Sequence, residues 1–274
     1  MSGTKFDQVM DALTTRKGAI GGVAALLALG VITTFGSGPA VSTGTAANSQ
    51  FNTEQTQAIQ QIVKDYLLKN PEILVKVGKE LEKRQADLQA EEHSRVILER
   101  KADIFSSPSD FVFGNPKGNV SVVEFFDYNC GWCKRAVDEL VKLTEADPNV
   151  RVVFKEFPIF GENSVIAATA AMASKKQGKY WDFHVALMKE RQVTKDNVFT
   201  IAEKVGLDVA KLKADMADPE FATAIKKNAE LAQALGMEGT PAFIVDSRVN
   251  VGYLPADGLN QLITEVRKSG CKVC

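Results

Sequence analysis

Two cysteines separated by two residues, Cys130 and Cys133, directly follow an apolar run, Val122-Val123-Glu124-Phe125-Phe126. The run has the β-branched and aromatic composition of a strand, and the residues from Cys130 to about Ala146 read as a helix. The first cysteine therefore falls on the first turn of that helix. A helix N-terminus carries partial positive charge and free backbone N–H groups, and both stabilise a thiolate. The thiolate is the form of cysteine that attacks disulfides, so Cys130 is the candidate nucleophile. The spacing also lets the two sulfurs close into a strained small-ring disulfide. The expected chemistry is redox exchange between thiols and disulfides.

The rest of the chain must position and deliver that pair. It has 274 residues, 45% hydrophobic and 24% charged, with net charge −1. This suffices for one sizeable core plus further segments and gives no electrostatic footprint for nucleic acid. Four cysteines in two pairs, Cys130/Cys133 and Cys271/Cys274, argue against a disulfide-stapled scaffold and for thiols with specific tasks. Lys5, Arg16 and Lys17 precede an uncharged stretch from Gly18 to Val41. Its apolar part, Ile20 to Phe35, is about 16 residues, longer than most signal-peptide cores and short for a membrane span. Residues 1–40 are thus expected to be a signal peptide, cleaved near Gly38-Pro39-Ala40 or Thr45-Ala46-Ala47, or an uncleaved anchor. The basic flank exports the remainder in either case, to the periplasm.

A Ser/Thr/Gly/Ala-rich linker over 41–52 is followed by a helical segment over 53–101. Ile59, Ile62, Val63, Tyr66 and Leu67 recur at helical spacing, Asn70-Pro71 breaks the helix, and Ile73, Leu74, Val77, Leu81 and Leu88 continue it. The apolar stripe is narrow, which suits helix-to-helix self-association; the alternative is an amphipathic helix lying on its own domain. Pro108, Gly114, Pro116 and Gly118 mark a boundary. Strands are expected at 120–126 and 150–157. Helices should follow at 164–176, 180–190, 194–205, 208–217 and 220–235. Short strands at 242–246 and 249–252 and a helix over 257–268 close the pattern. A β-α-β start, a helical block over about 162–236 and a β-β-α end give an α/β catalytic domain over 102–270, with 271–274 as a cysteine-containing tail.

Glu124-Phe-Phe-Asp-Tyr-Asn-Cys-Gly-Trp-Cys-Lys resembles the active-site segment of the DsbA-like branch of the thioredoxin fold, and Gly239-Thr240-Pro241-Ala242-Phe243 resembles that fold's cis-proline loop. The helical insertion is also that branch's arrangement, and the resemblance covers about Asp103 to Lys268. Gln55 to Leu81, with Asn70-Pro71-Glu72, is similar to the N-terminal region of the suppressor-of-copper-sensitivity C and Com1-like proteins, some of which are trimeric isomerases. The fold implied is a thioredoxin fold with an inserted helical subdomain, preceded by N-terminal helices. The partners implied are protein thiols and disulfides, a membrane redox partner and, through the N-terminal helices, further copies of the chain, three in a trimer. A copper-related role enters through the same resemblance. No cofactor and no nucleic acid are expected.

Roles follow residue by residue. Cys133 would resolve the mixed disulfide formed at Cys130. Gly131-Trp132 departs from the Pro-His of the strongly oxidising members and tilts the expectation toward isomerase or reductase use. Glu124 matches a buried acid beneath the disulfide, able to exchange a proton with Cys133; the alternative is a glutamate facing water. Lys155 on the next strand could pair with it; the alternative is that it does not. Pro241, after a cis bond, would expose the backbone of Thr240 to a substrate strand, with Trp132 as a second substrate contact; an ordinary trans turn is the alternative. His184 is expected in packing among aromatics and His93 in solvent. Cys271 and Cys274 could form their own disulfide, relay electrons to the first pair, or bind a soft metal. Two rival functions stand beside exchange: a Cys₄ zinc or copper site built from Cys130, Cys133, Cys271 and Cys274, and a non-catalytic adaptor binding through its helices.

Overall fold

The computed structural model describes residues 51–273. The expected signal peptide or anchor lies outside the described residues, as do most of the linker and Cys274. Contacts divide the chain into two compact units at Ile62/Val63. In the first, Asn52 and Gln55 exchange side-chain-to-backbone hydrogen bonds, both 2.9 Å, as a box that starts helix α1 (Thr53–Lys69). No residue of α1 is buried.

In the second unit, Pro71 (φ −62°) opens α2 (Glu72–Glu99), which runs into the short α3 (Lys101–Phe105). Strand β1 (Phe111–Gly114), β2 (Val120–Phe126), α4 (Gly131–Ala146) and β3 (Val150–Glu156) follow. The helical block is α5 (Glu162–Ser174), α6 (Tyr180–Lys189), α7 (Val198–Lys204), α8 (Val209–Asp215) and α9 (Pro219–Ala234). β4 (Ala242–Val245), β5 (Arg248–Val251) and α10 (Ala256–Ser269) complete the unit. Strand order is β1-β3-β2-β4-β5, with β2 and β3 parallel and every other neighbour antiparallel. Among the described residues, no helix is long and apolar enough to cross a membrane.

β2 is buried at every position, as its Val- and Phe-rich sequence requires of a central strand covered on both faces. Its alternate residues feed two cores. Val120, Val122 and Phe126 join Phe154, α4, the helical block and α10. Val123 and Phe125 join Val153, Ile97 at the end of α2, Ile104 and Phe105 of α3, and Leu231 and Leu235 of α9 and its end. α4 presents Cys133, Ala136, Val137, Leu140 and Leu143, one face of a helix, to the first core. Of α2, only Val96 and Ile97 are buried.

Three expectations are corrected. The boundary over 106–118 contains a strand, β1, whose four residues are flanked by Pro108 and Pro116 and end on Gly114 at φ +74°. Here a side chain would also meet Val150 O at 2.9 Å. The helix expected over 194–205 begins only at Val198, because Thr194 and Asn197 bond each other's backbone N–H groups (3.3 and 2.8 Å) as a turn. Lys155 does not pair with Glu124. In the parallel register Glu124 lies opposite Phe154 and Lys155 opposite Phe125, so the two side chains leave opposite faces of the sheet. Lys155 instead forms a buried ion pair with Asp110 at 2.6 Å and donates to the Asp103 carbonyl, closing the loop before β1 from within.

The cysteine-containing tail is docked. Val273 is buried in the second core, and the N–H groups of Lys272 and Val273 donate to Asp246 Oδ1 at 2.7 and 2.9 Å. Asp246 occupies the turn between β4 and β5 at φ +55°.

Candidate active site

β2 ends at Phe126, and Asp127-Tyr128-Asn129 carry the chain to Cys130, which caps α4 with extended backbone (φ −82°, ψ 118°). Its sulfur takes the place of a capping oxygen and accepts the Cys133 N–H at 3.3 Å. The Phe125–Ala242 register of β2 and β4 brings the loop before β4 alongside. There the Thr240–Pro241 bond is cis, and the Cys130 thiol donates to the Thr240 carbonyl at 3.2 Å. The structure therefore brings Cys130, Cys133, Thr240 and Pro241 together.

The two thiols differ. A hydrogen bond from the Cys133 thiol, joined by the Thr240 side chain and the N–H groups of Cys133 and Trp132, lowers Cys130 to about 6, although burial opposes it. Burial, and then the hydrogen bond to Cys130, drive Cys133 far above the ordinary thiol range. The Thr240 hydroxyl is buried without a partner while Cys130 is a thiol. It is a donor in waiting for the thiolate.

Glu124 is fully buried, and neither of its carboxyl oxygens has a hydrogen-bond partner. Desolvation holds it well above the usual carboxylate range, with the Cys130 charge and then Glu156 adding to the effect. It is therefore a neutral acid on the face of the sheet that carries α4. Trp132 is 53% exposed, with Tyr253 beside it at 5.3 Å and the Arg135 guanidinium 4.7 Å over its ring. Open space surrounds Gly131. Both cysteines are buried, Cys130 at 4% exposure and Cys133 at 0%, and the exposed surface next to them is that of Trp132.

Several residues around the pair were not singled out from sequence. The buried Asp127 carboxylate accepts from Asn129 N–H, Ser164 O–H and Ile159 N–H, each at 2.7 Å, and from Phe160 N–H at 3.0 Å. Tyr128 lies 3.1 Å from Glu156 and 3.0 Å from His184 Nδ1, and the Tyr180 hydroxyl donates to Glu156 at 2.8 Å. Burial holds Glu156 well above the carboxylate range and lowers His184 to about 3, so both are neutral. His184 packs against Phe126, Phe154, Tyr180 and Trp181, away from solvent. His93 lies on α2. The sequence signal for Asp127 and Asn129 was their polarity at the end of an apolar run.

Cys271 is disulfide-bonded, so it is not available as a thiolate ligand. Among the described residues no group of three or more His, Cys, Asp or Glu side chains is arranged to hold a metal. The four-cysteine metal site thus finds no support in the geometry.

The family model of the DSBA-like thioredoxin domain matches residues 121–264, and that of the copper resistance protein ScsC N-terminal domain matches residues 55–87. A thioredoxin-like oxidoreductase from Silicibacter pomeroyi is 45% identical and superimposes with a TM-score of 0.61, covering 62% of this chain and 98% of its own. BcfH of Salmonella enterica Typhimurium is 30% identical with a TM-score of 0.65, covering 77% of this chain and 96% of its own. Disulfide bond formation protein D of Bacillus subtilis is 27% identical over 172 residues, 57% of this chain and 77% of that protein. The chain also matches Na(+)/H(+) antiporter NhaA 1 of Salinispora arenicola, 28% identical over 57% of this chain, but it spans only 24% of that protein's length. Because one family model covers more than half of the chain, the chain belongs to the DsbA-like thioredoxin family of thiol–disulfide oxidoreductases.

Proposed function

We propose that this chain is an exported enzyme that exchanges disulfides with protein substrates through Cys130 and Cys133, as an isomerase or reductase rather than a strong oxidant. The observation that carries the reading is the asymmetry of the two thiols, one at the helix N-terminus held near 6 and one behind it held protonated. In the reducing direction, the Cys130 thiolate attacks one sulfur of a substrate disulfide. A Cys130–substrate S–S bond forms, the substrate S–S bond breaks, and the departing substrate thiolate takes up a proton. Cys133 then loses its proton and attacks the Cys130 sulfur, closing the Cys130–Cys133 disulfide and releasing the second substrate thiol. In the isomerising direction, a substrate thiolate instead attacks the substrate sulfur of the mixed disulfide, forming a new substrate S–S bond and releasing Cys130 as its thiolate. Thr240 would pair its backbone with the substrate beside Pro241, and Trp132 would supply an apolar contact.

A thiol near 6 is still well above the ~3.5 of the most oxidising thiols, which supports the isomerase or reductase direction. The exposed Ile62, Tyr66, Leu74, Val77, Leu81 and Leu88 and the ScsC N-terminal match support a homo-oligomer, a trimer in the first instance. Such an assembly would present several cysteine pairs to one misfolded substrate. The basic, apolar and small-residue order of the first 50 residues supports the periplasm. There a membrane-borne dithiol partner would keep the pair reduced. The ScsC match also supports a part in copper tolerance through repair of oxidised thiols.

Cys130→Ser is expected to abolish both insulin reduction and refolding of a scrambled disulfide protein; unchanged rates in either assay would sink the reading. Light scattering of the exported portion should give a trimer that becomes a monomer when residues 50–101 are removed. A monomer in both cases would point to oxidase-like use instead.

A further inference from the structure

The segment 190–193, between α6 and α7, is fastened to residues on both sides of the cysteine pair. Ahead of the pair, the Asn129 side-chain amide makes two hydrogen bonds with Val193: it donates to the carbonyl at 3.1 Å and accepts the N–H at 2.8 Å. Behind the pair, the Lys134 ammonium donates to the carbonyls of Glu190 and Arg191 at 2.6 and 2.8 Å. The Gln192 carbonyl accepts from the Asn197 side chain at 2.9 Å. Four successive carbonyls are thus each held by a side chain, three of them by residues that flank Cys130 and Cys133. Inward, Val193 is fully buried; outward, Arg191 and Gln192 are exposed. The effect of these anchors is to hold the backbone that carries two exposed, donor-bearing side chains to the residues on either side of the cysteine pair.

We propose that residues 190–193 form a wall of the exchange site that contacts protein substrates, with Asn129 and Lys134 as the positioning residues that hold it in register with Cys130. The guanidinium of Arg191 and the amide of Gln192 supply N–H donors, which suit the carbonyl groups of an extended substrate backbone running past the disulfide. Glutathione disulfide carries only a tripeptide on each sulfur, too short to run past the disulfide as an extended strand, so its exchange depends less on the wall. This inference rests on the exchange reading above and adds a determinant of substrate size to it.

The test compares kcat/KM for a scrambled protein with kcat/KM for glutathione disulfide, in the full chain and two variants. Asn129→Ala removes the two anchors at Val193 and leaves those of Lys134, and the double variant Arg191→Ala/Gln192→Ala strips the outward side chains without touching a buried group. In both, the protein-to-glutathione ratio is expected to fall about two- to tenfold, the range set by one or two lost hydrogen bonds. The fall should come through KM rather than kcat. Should Asn129→Ala fail to fold, the double variant decides alone. If the ratio is unchanged in the double variant, the wall is overturned, and equal losses on both substrates in Asn129→Ala would show that Asn129 acts on Cys130 itself. A wild-type chain that exchanges neither substrate overturns the exchange reading as well, so the two failures are distinct.

Discussion

Alkylation of the reduced protein is expected to modify Cys130 with a pH midpoint of about 6 and to leave Cys133 untouched until the fold is lost. The thiolate is the reacting species, so the rate follows its ionised fraction. A free thiol would show its midpoint near ~8.5, and a midpoint there would remove the basis of the proposed nucleophile. Of the four donors to the sulfur, two are side chains, those of Cys133 and Thr240, and can be removed by mutation. Thr240→Val removes a hydroxyl that has no other partner, so it should move the midpoint upward with no loss of native hydrogen bonds. The same titration is a stability statement. Between pH ~6 and ~8.5 the unfolded chain holds a proton on Cys130 that the folded chain has released, so the reduced protein gains stability as pH rises through that window. The contribution is complete above the unfolded value and is lost as pH falls through about 6. Urea unfolding of the reduced protein at pH 5 and pH 9, set against Cys130→Ser, reads it directly: the gap between the two proteins should widen at the higher pH.

The parts of this site that were legible in the sequence are those written locally. A β-branched run into a helix fixes where Cys130 sits, and Gly239-Thr240-Pro241 before a short apolar strand marks the second loop. The pairing of Lys155 was not legible. Whether it meets Glu124 depends on the parity of the β2–β3 register, since a shift of one residue exchanges the faces of a strand. Strand β1 was hidden because four residues between prolines and glycines carry a turn signal stronger than their alternation; only its antiparallel pairing with β3 makes it a strand. Nor could the grip of Asn129 and Lys134 on the 190–193 backbone be read, as these bonds span more than fifty residues and one partner is always a backbone atom of no distinctive type. The tail shows the same limit: Val273 reads as a terminal residue, yet Asp246 in its turn draws two tail N–H groups inward.

Replacing Glu124 by leucine should make the protein more stable and a poorer catalyst. The carboxyl is fully buried with both oxygens unpaired, and a buried polar group without partners costs roughly 1–3 kcal/mol. An apolar side chain of similar volume removes that cost, so the midpoint of urea unfolding should rise. Proton transfer explains why such a group would be kept. Cys133 is held as a thiol, and its attack on the mixed disulfide requires a base nearby. Part of what keeps Glu124 protonated is the charge on Cys130, and that charge vanishes once Cys130 is bonded to a substrate sulfur. Burial, the largest cause, remains, but the loss of this charge makes ionising Glu124 less costly at the stage when a base is needed. Glu124→Leu should accordingly leave the first, substrate-attacking step near its wild-type rate and slow the resolving step by about 100-fold or more, the usual reach of general acid–base catalysis. Mixed disulfides should accumulate, visible as trapped covalent adducts after acid quench. Stability adds an independent check. Glu124 is neutral when folded and charged when unfolded above pH ~4.3, so the unfolded state binds fewer protons and stability falls as pH rises until the folded value is passed. Glu124→Gln should flatten that slope. If it does so while resolution proceeds at the wild-type rate, Glu124 is only a tolerated defect of the core and the proton belongs to another group.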